Sequence, residues 1–128
     1  MLAKTERLKE RYLFNLAFKL GKTKNQKFNS RLLSLYYLFN KKDINMLNIK
    51  PSIKTAFIVG LRVDKKSTTR NLVKRRMKAT YQLLKKSFIK KSGNISVLIW
   101  IANPPIKDAT FEQIKDSMKN LLMKLGCI

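Results

Sequence analysis

The chain of 128 residues carries 29 lysines and arginines against 7 aspartates and glutamates, which gives a formal net charge of +22 at pH 7. Because 45% of its residues are hydrophobic, it can bury a core and is not a disordered polycation. So large a positive excess favours a polyanionic partner, first nucleic acid and second an anionic membrane surface.

The residue types that carry most enzyme chemistry are scarce. There is no histidine, and the single cysteine is Cys127, which excludes histidine-dependent triads, zinc sites built from Cys and His, and an intrachain disulfide. Asp108, Glu112 and Asp116 recur every four residues and suit the positive end of a helix dipole better than a metal. We therefore expect no catalytic and no metal-binding residues.

The chain shows no segment of membrane-spanning or signal-peptide type. No apolar run approaches the ~20 residues that a membrane span needs, and the N-terminus lacks the apolar region of a signal peptide. We expect a soluble protein that stays where it is made.

The first predicted element is an amphipathic helix over residues 4–20, closed by Gly21. Its apolar positions four residues apart are Leu8, Tyr12, Leu16 and Leu20. Phe14 and Phe18 lie beside this row and leave two options open, because they can belong to the core or form a half-exposed aromatic strip. Spacing alone favours the core.

Strand-like segments follow this helix. Residues 22–27 are a polar connector, and residues 28–39, rich in Leu, Tyr and Phe, predict a strand. Residues 41–51 carry Asn and Pro signals of a loop. The short apolar run 56–60 within residues 54–63 predicts a second strand.

A long basic helix is predicted to begin at residues 67–69 and to run to residue 91. No acidic residue occurs between Asp64 and Asp108. One face of this helix is apolar and is formed by Val73, Met77, Tyr81, Leu84 and Phe88. The opposite face is polar and basic, with Asn71, Arg75, Lys78, Gln82, Lys85 and Lys86. The pattern indicates a helix with one side in a core and the other facing phosphate, or, less informatively, solvent.

The rest of the chain predicts a strand and a helix. Residues 95–102 are the most strand-like run and suggest a central strand. Asn103-Pro104-Pro105 breaks that strand, and a last helix runs to Leu125 and stops at Gly126. The order of elements predicts a single domain over residues 1–128, an α/β (α+β) two-layer sandwich with about four strands and helices on one face.

The basic helix also carries a motif. Arg70-Asn71 is followed by Lys74-Arg75 and Lys78, after a strand that ends in the segment 60–67. This arrangement resembles the signature of the protein subunit of bacterial-type ribonuclease P. The resemblance covers nearly the whole chain in the same order, through Arg7, Leu8, Phe14, Phe18, Gly21, Leu35 to Leu38, Trp100 to Pro104 and Leu121-Leu122.

Two positions and one segment depart from the family pattern. Leu72 stands where a third arginine is usual, and Lys78 replaces an arginine, which keeps the charge but loses the bidentate fork. Gly60-Leu61-Arg62 stands where the family often has Ser-Lys-Lys. These departures bear on the strength of RNA binding.

The resemblance implies a fold like domain 2 of ribosomal protein S5, with a left-handed βαβ crossover in place of the usual right-handed one. It implies that a catalytic RNA subunit, through bound Mg²⁺, removes the 5′ leader of precursor tRNA, that the protein itself holds no cofactor, and that no protein partner is required. The implied residues that bind the RNA subunit are Arg62, Lys65, Lys66, Arg70, Asn71, Lys74, Arg75 and Lys78. The implied leader-binding groove is lined by Phe14, Phe18, Tyr36 and Lys54.

The implied location is the bacterial cytoplasm, or the stroma of a plastid or other organelle if the chain is organelle-encoded. The main alternative is a basic ribosomal or other structured-RNA-binding protein without a processing role. A membrane-surface role fits less well, because the apolar face of the basic helix is already needed by a core.

Overall fold

The computed structural model describes residues 7–8, 10–39, 53–87 and 95–126. Three α-helices, four strands and one 3-10 helix occur in this part of the chain. In order they are α1 (Arg11–Thr23), β1 (Lys27–Asn29), β2 (Leu33–Phe39), β3 (Lys54–Ile58), α2 (Ser67–Lys85), β4 (Ile95–Ala102), the 3-10 helix (Pro104–Asp108) and α3 (Phe111–Leu125).

The strands form one sheet in the order β1-β2-β4-β3. β1 pairs antiparallel with β2, β2 antiparallel with β4, and β3 parallel with β4. The parallel pair needs a crossover, which α2 supplies. The predicted central position of residues 95–102 is confirmed, since β4 has a partner on each side.

Side chains of successive strand residues point to opposite faces of the sheet, and each face has its own core. α2 and α3 cover the face that presents Leu35, Phe57 and Trp100. α1 covers the other face, against Leu38, Val97 and Ile99. The predicted α+β class and four-stranded sheet are confirmed, but the prediction that all helices lie on one face is wrong.

α1 begins later than the sequence pattern predicts. Arg7 forms a parallel bridge with Thr55 of β3, and the Leu8 amide donates to the Thr55 carbonyl at 3.0 Å. These residues are therefore extended and cover the free edge of β3. Gly21 also lies inside the helix, which continues to Thr23.

The predicted strand 28–39 is two strands joined by a tight turn. The Ser30 hydroxyl accepts from the Leu33 amide at 3.1 Å, and the Ser30 amide donates to the Leu33 carbonyl at 2.8 Å. These hydrogen bonds close the connection between β1 and β2, so a serine ends the first strand where the apolar pattern continues.

The two later helices agree with their predicted faces and ends. Val73, Met77, Tyr81 and Leu84 of α2 are buried, whereas Phe88 lies outside the described residues. α3 starts at a capping box, in which Thr110 Oγ1 accepts from the Gln113 amide at 3.2 Å and Gln113 Oε1 accepts from the Thr110 amide at 3.0 Å. Gly126 ends α3 with φ of 90°, as its position predicted. None of the described helices has the length and hydropathy to cross a membrane.

Candidate nucleic-acid interface

A half-exposed apolar groove lies on the α1 face of the sheet. Ile101 of β4 is paired with Ser34 of β2 and with Ile58 of β3, so the three form one row across the sheet. All three are half-buried, whereas Ile99, two residues earlier on the same face, is fully buried. The row of Ser34, Ile101 and Ile58 is thus the part of this face that α1 leaves open.

Phe14 and Phe18 form the helical wall of this groove. α1 points Leu13, Ala17 and Leu20 into the sheet, and all three are buried. Phe14 and Phe18 lie on the flank of that buried face and are only half-buried. The structure therefore selects the second option that spacing left open, a partly exposed aromatic strip.

Tyr36 of β2 continues the strip. Its ring contacts Phe18 edge-on, with ring centroids 5.0 Å apart and an interplanar angle of 80°. Lys27 Nζ lies 6.0 Å from the Tyr36 centroid, at the limit of a cation–π contact. Gly21 permits this packing, because a Cβ there would lie 2.5 Å from Tyr36 Cε2.

Lys54 lies at the start of β3 on the same face as Ala56 and Ile58. Its ammonium is already paired, since Nζ donates to Glu10 Oε1 at 2.7 Å just before α1. This pair ties the start of α1 to the sheet. Lys54 therefore contributes less free positive charge to the groove than the sequence suggested.

The predicted RNA-subunit residues lie on α2 and on the loop before it. Arg62, Lys65 and Lys66 of the loop are exposed, and so are Asn71, Lys74 and Arg75 of the helix. Arg70 is half-buried and has a structural task, because its Nη1 donates to the carbonyls of Asp64 at 3.2 Å and Lys65 at 3.0 Å. The motif arginine thus holds the loop against the helix and presents the remaining N–H groups outward.

Lys78 is a half-buried cation of this face. Burial lowers the pKa of its ammonium below the ordinary 10.5, and the positive charges of Lys74 and Arg7 lower the pKa further. All three side chains line one cavity of about 270 Å³ at the edge of β3. Its other lining residues are Leu8, Phe14, Thr55, Ala56, Phe57 and Ile58.

This cavity joins the two predicted surfaces. Phe14 belongs to the aromatic groove, whereas Lys74 and Lys78 belong to the basic face of α2. The sequence pattern did not place Arg7 or Thr55 at a site. It assigned Arg7 to the first helix and Thr55 to the strand within residues 54–63. Only the pairing of Arg7 with β3 brings both to the same place.

The described site residues are mainly aromatic and basic. Among them no group of three or more His, Cys, Asp or Glu side chains is arranged to hold a metal ion. The groove presents half-buried aromatic rings and the helix presents exposed cations, which are the kinds of group that bind unpaired bases and phosphates in general.

The sequence matches a family model. Residues 2–126 match the model described as Ribonuclease P. The chain is 33% identical over 120 residues to the ribonuclease P protein component of Clostridium kluyveri, with 94% of each chain covered. It is 36% identical over 121 residues to that of Clostridioides difficile, covering 94% of this chain and 92% of the relative.

Solved structures share the fold. The ribonuclease P protein of Staphylococcus aureus aligns with a TM-score of 0.72 at 21% identity and covers 95% of this chain and 96% of its own. The protein from Thermotoga maritima aligns with a TM-score of 0.70 at 20% identity, covering 93% and 96%. At these identities the two structures support the architecture alone.

Proposed function

The chain belongs to the ribonuclease P protein family, the protein component of a ribonucleoprotein that processes tRNA together with an RNA subunit, and from that membership we propose how it binds its two RNAs. The basic face of α2 and its preceding loop bind the RNA subunit. The groove beside α1 binds the single-stranded 5′ leader of precursor tRNA. One protein thereby raises the affinity of the holoenzyme for precursor over mature tRNA.

The observation that supports this division is that, within the described residues, α1 and α2 pack on opposite faces of the sheet and meet only at the cavity beside β3. The half-buried row of Ser34, Ile101 and Ile58 lies on the α1 face, whereas α2 covers the other face. A leader in the groove and an RNA subunit on α2 can therefore be held at the same time without competing for the same side chains.

The RNA-subunit surface has the composition that phosphate binding needs. It consists of Arg62, Lys65, Lys66, Arg70, Asn71 and Arg75, with Lys74 and Lys78 at its border with the groove. These residues release counterions when they neutralise phosphates, so the affinity falls steeply with salt.

The leader surface uses Phe14, Phe18 and Tyr36, with Lys54 at one end. Bases stack on exposed aromatic faces with little sequence preference and gain ~1–3 kcal/mol each. A groove of this kind accepts leaders of different sequence, which suits a protein component that processes many tRNAs.

We propose that the RNA subunit binds the Mg²⁺ that the cleavage uses. The described residues offer no cluster of carboxylates for it. The side chains of the protein bind and orient the RNAs, and the metal supplies the activation of water and the stabilisation of the leaving oxygen when it is bound.

Reconstitution with a bacterial-type catalytic RNA tests the proposal. At low Mg²⁺ the protein should increase both the rate of precursor tRNA cleavage and the affinity of the holoenzyme for precursor tRNA. Arg75→Ala should weaken binding of the RNA subunit. It should also reduce the slope of log affinity against log salt concentration by about one, because one phosphate contact is lost. Phe18→Ala and Tyr36→Ala should instead reduce the preference for precursor over mature tRNA.

The two sets of variants control for each other. Lys119→Ala removes an exposed charge from α3 and should alter neither property. If Arg75→Ala, Phe18→Ala and Tyr36→Ala all lower affinity for the RNA subunit and change nothing else, the assignment of the groove to the leader is wrong. No effect of the protein on precursor affinity would refute the leader proposal as a whole.

A further inference from the structure

Glu10 places a carboxylate at the end of the groove where α1 begins. Its Oε1 accepts from Lys54 Nζ at 2.7 Å, and both side chains are partly buried, with 26% of Lys54 and 34% of Glu10 exposed. The other acidic residues of the described part of the chain belong to the loop before α2, the 3-10 helix and α3, and are Asp64, Asp108, Glu112 and Asp116. Glu10 therefore brings a negative charge to a surface that we assign to RNA.

The backbone of Glu10 fixes it beside the wall of the groove. Glu10 is the N-cap residue of α1, and its carbonyl accepts from the amides of Leu13 at 3.1 Å and Phe14 at 3.4 Å. Since Phe14 belongs to the helical wall, the carboxylate lies one helical turn from an aromatic ring of the groove. The Glu10 side chain makes no capping hydrogen bond, so its carboxylate is directed to Lys54 and not to the first-turn amides.

The sheet fixes Lys54 at the same place. Lys54 is the first residue of β3, pairs with Val97 of β4, and lies on the same face as Ala56 and Ile58. Four residues along a strand span about 13 Å, so the lysine lies at the far end of the groove from the open row that contains Ile58. A single strand of RNA that runs along the groove toward the start of α1 passes the Glu10–Lys54 pair.

The ion pair changes what the groove offers to such a strand. A lysine that neutralises a phosphate releases a counterion and strengthens RNA binding. With the Glu10 carboxylate 2.7 Å from the ammonium, a phosphate that approaches Lys54 also meets a like charge, which opposes the attraction. Stacking of bases on aromatic rings does not depend on this charge. The groove therefore binds chiefly through its rings and gains little from the cation at its end.

We propose that Glu10 limits the affinity of the groove for single-stranded RNA, so that the leader dissociates once it has been cut from the tRNA. The inference rests on the proposed role of the groove and adds control of product release to it. A leader joined to bound tRNA is presented to the groove at an effective concentration on the order of millimolar, so a weak groove still holds it. Cleavage removes this advantage, and the leader leaves.

Glu10→Gln tests the inference, because glutamine removes the charge and keeps an oxygen atom that can accept from Lys54. The holoenzyme is used, since its RNA subunit occupies the basic face of α2, and a leader oligonucleotide without tRNA serves as inhibitor of precursor cleavage. The variant should lower the inhibition constant about fourfold at low salt. It should steepen the slope of log affinity against log salt concentration by about 0.7, the value for one more cation on a single strand. Dissociation of labelled leader should slow by a similar factor.

Substitution of Lys54 supplies the matched test of charge. Lys54→Met lowers the charge at the end of the groove by one, and Glu10→Gln combined with Lys54→Met restores it to that of the native protein. Affinity for the oligonucleotide should therefore be highest for Glu10→Gln and lowest for Lys54→Met, with the native protein and the double variant between them and within about twofold of each other. Glu112→Gln, which removes an exposed carboxylate of α3, should leave leader binding unchanged.

The possible outcomes separate this inference from the proposed function. If Glu10→Gln leaves the inhibition constant and the salt slope unchanged, or weakens leader binding, while Phe18→Ala still reduces the preference for precursor, the ion pair only ties α1 to the sheet and the inference is rejected. A double variant that binds as weakly as Lys54→Met, or an equal effect of Glu112→Gln, also rejects it. If neither Phe18→Ala nor the variants of the ion pair change binding of oligonucleotide or precursor, the groove is not the leader site and both proposals are wrong.

Discussion

Gly21 of α1 lies against the ring of Tyr36 of β2, and its lack of a side chain makes room for that ring in the groove. An added Cβ would lie 2.5 Å from Cε2 and 2.6 Å from Cδ2 of the tyrosine ring. The ring cannot move away without changing its edge-on contact with Phe18 at 5.0 Å. A residue without a side chain therefore helps to shape the groove that we propose for the leader.

Gly21→Ala should consequently lower both stability and leader binding. Overpacking costs ~1–3 kcal/mol, and the better helix propensity of alanine returns up to ~1 kcal/mol. We expect a net loss of about 1 kcal/mol in the free energy of unfolding, measured by urea denaturation, together with a smaller preference for precursor tRNA.

Gly60→Ala is the control, because no atom lies within 4 Å of a Cβ at that position. It should be close to neutral in both measurements. Equal behaviour of the two variants would contradict the tight contact between Gly21 and Tyr36.

At the scale of single elements, α2 and α3 start in different ways. α3 has a capping box at Thr110, whereas the N-cap of α2 is Lys66, whose side chain makes no capping hydrogen bond. Lysine also places a positive charge at the positive end of the helix dipole. A lysine at this position costs stability and adds a cation to the surface that we propose for the RNA subunit.

Lys66→Ser should reverse that balance. A serine at the N-cap accepts from a first-turn amide, so the free energy of unfolding should rise by about 1 kcal/mol. RNA-subunit affinity should fall, with a lower salt slope, because one cation is lost. Thermal unfolding and filter binding over a range of salt measure the two effects.

Lys86→Ser at the C-cap of α2 removes the same charge without a capping gain. It should slightly lower stability, since cations favour the C-terminal end of a helix. If Lys66→Ser does not stabilise the protein relative to Lys86→Ser, the capping argument is wrong.

For the whole molecule, the net charge of +22 on 128 residues sets the response to salt. Like charges repel one another more strongly in the compact state than in the extended chain, so the free protein is destabilised by its own charge. RNA binding removes this repulsion and depends on the same charges.

Added monovalent salt should therefore stabilise the free protein and weaken its binding to RNA. Screening should raise the melting temperature of the free protein between about 50 mM and 500 mM salt, while affinity for the RNA subunit falls. Lys119→Glu, which lowers the net charge by two, should reduce the salt response of the melting temperature. A melting temperature that falls as salt is added would contradict the argument.

The sequence alone determined the features that depend on neighbouring positions. The two faces of α2 follow from the helical periodicity of its apolar residues, and the burial of β4 follows from its continuous apolar run. The end of α3 follows from the left-handed conformation that glycine tolerates at Gly126. Family membership also follows from the sequence, because the motif residues and the matched range span nearly the whole chain.

Only the tertiary structure decided which surface each residue joins. Alternation within a strand separates two faces, but the path of the chain decides which helix covers each face, and here α1 lies opposite α2 and α3. Arg7 and Thr55 are a second example, because the pairing of the two residues at the edge of β3 decides which surface they join. Their position beside Lys78 in the lining of one cavity depends on hydrogen bonds between residues nearly fifty positions apart, and no local pattern records such pairing.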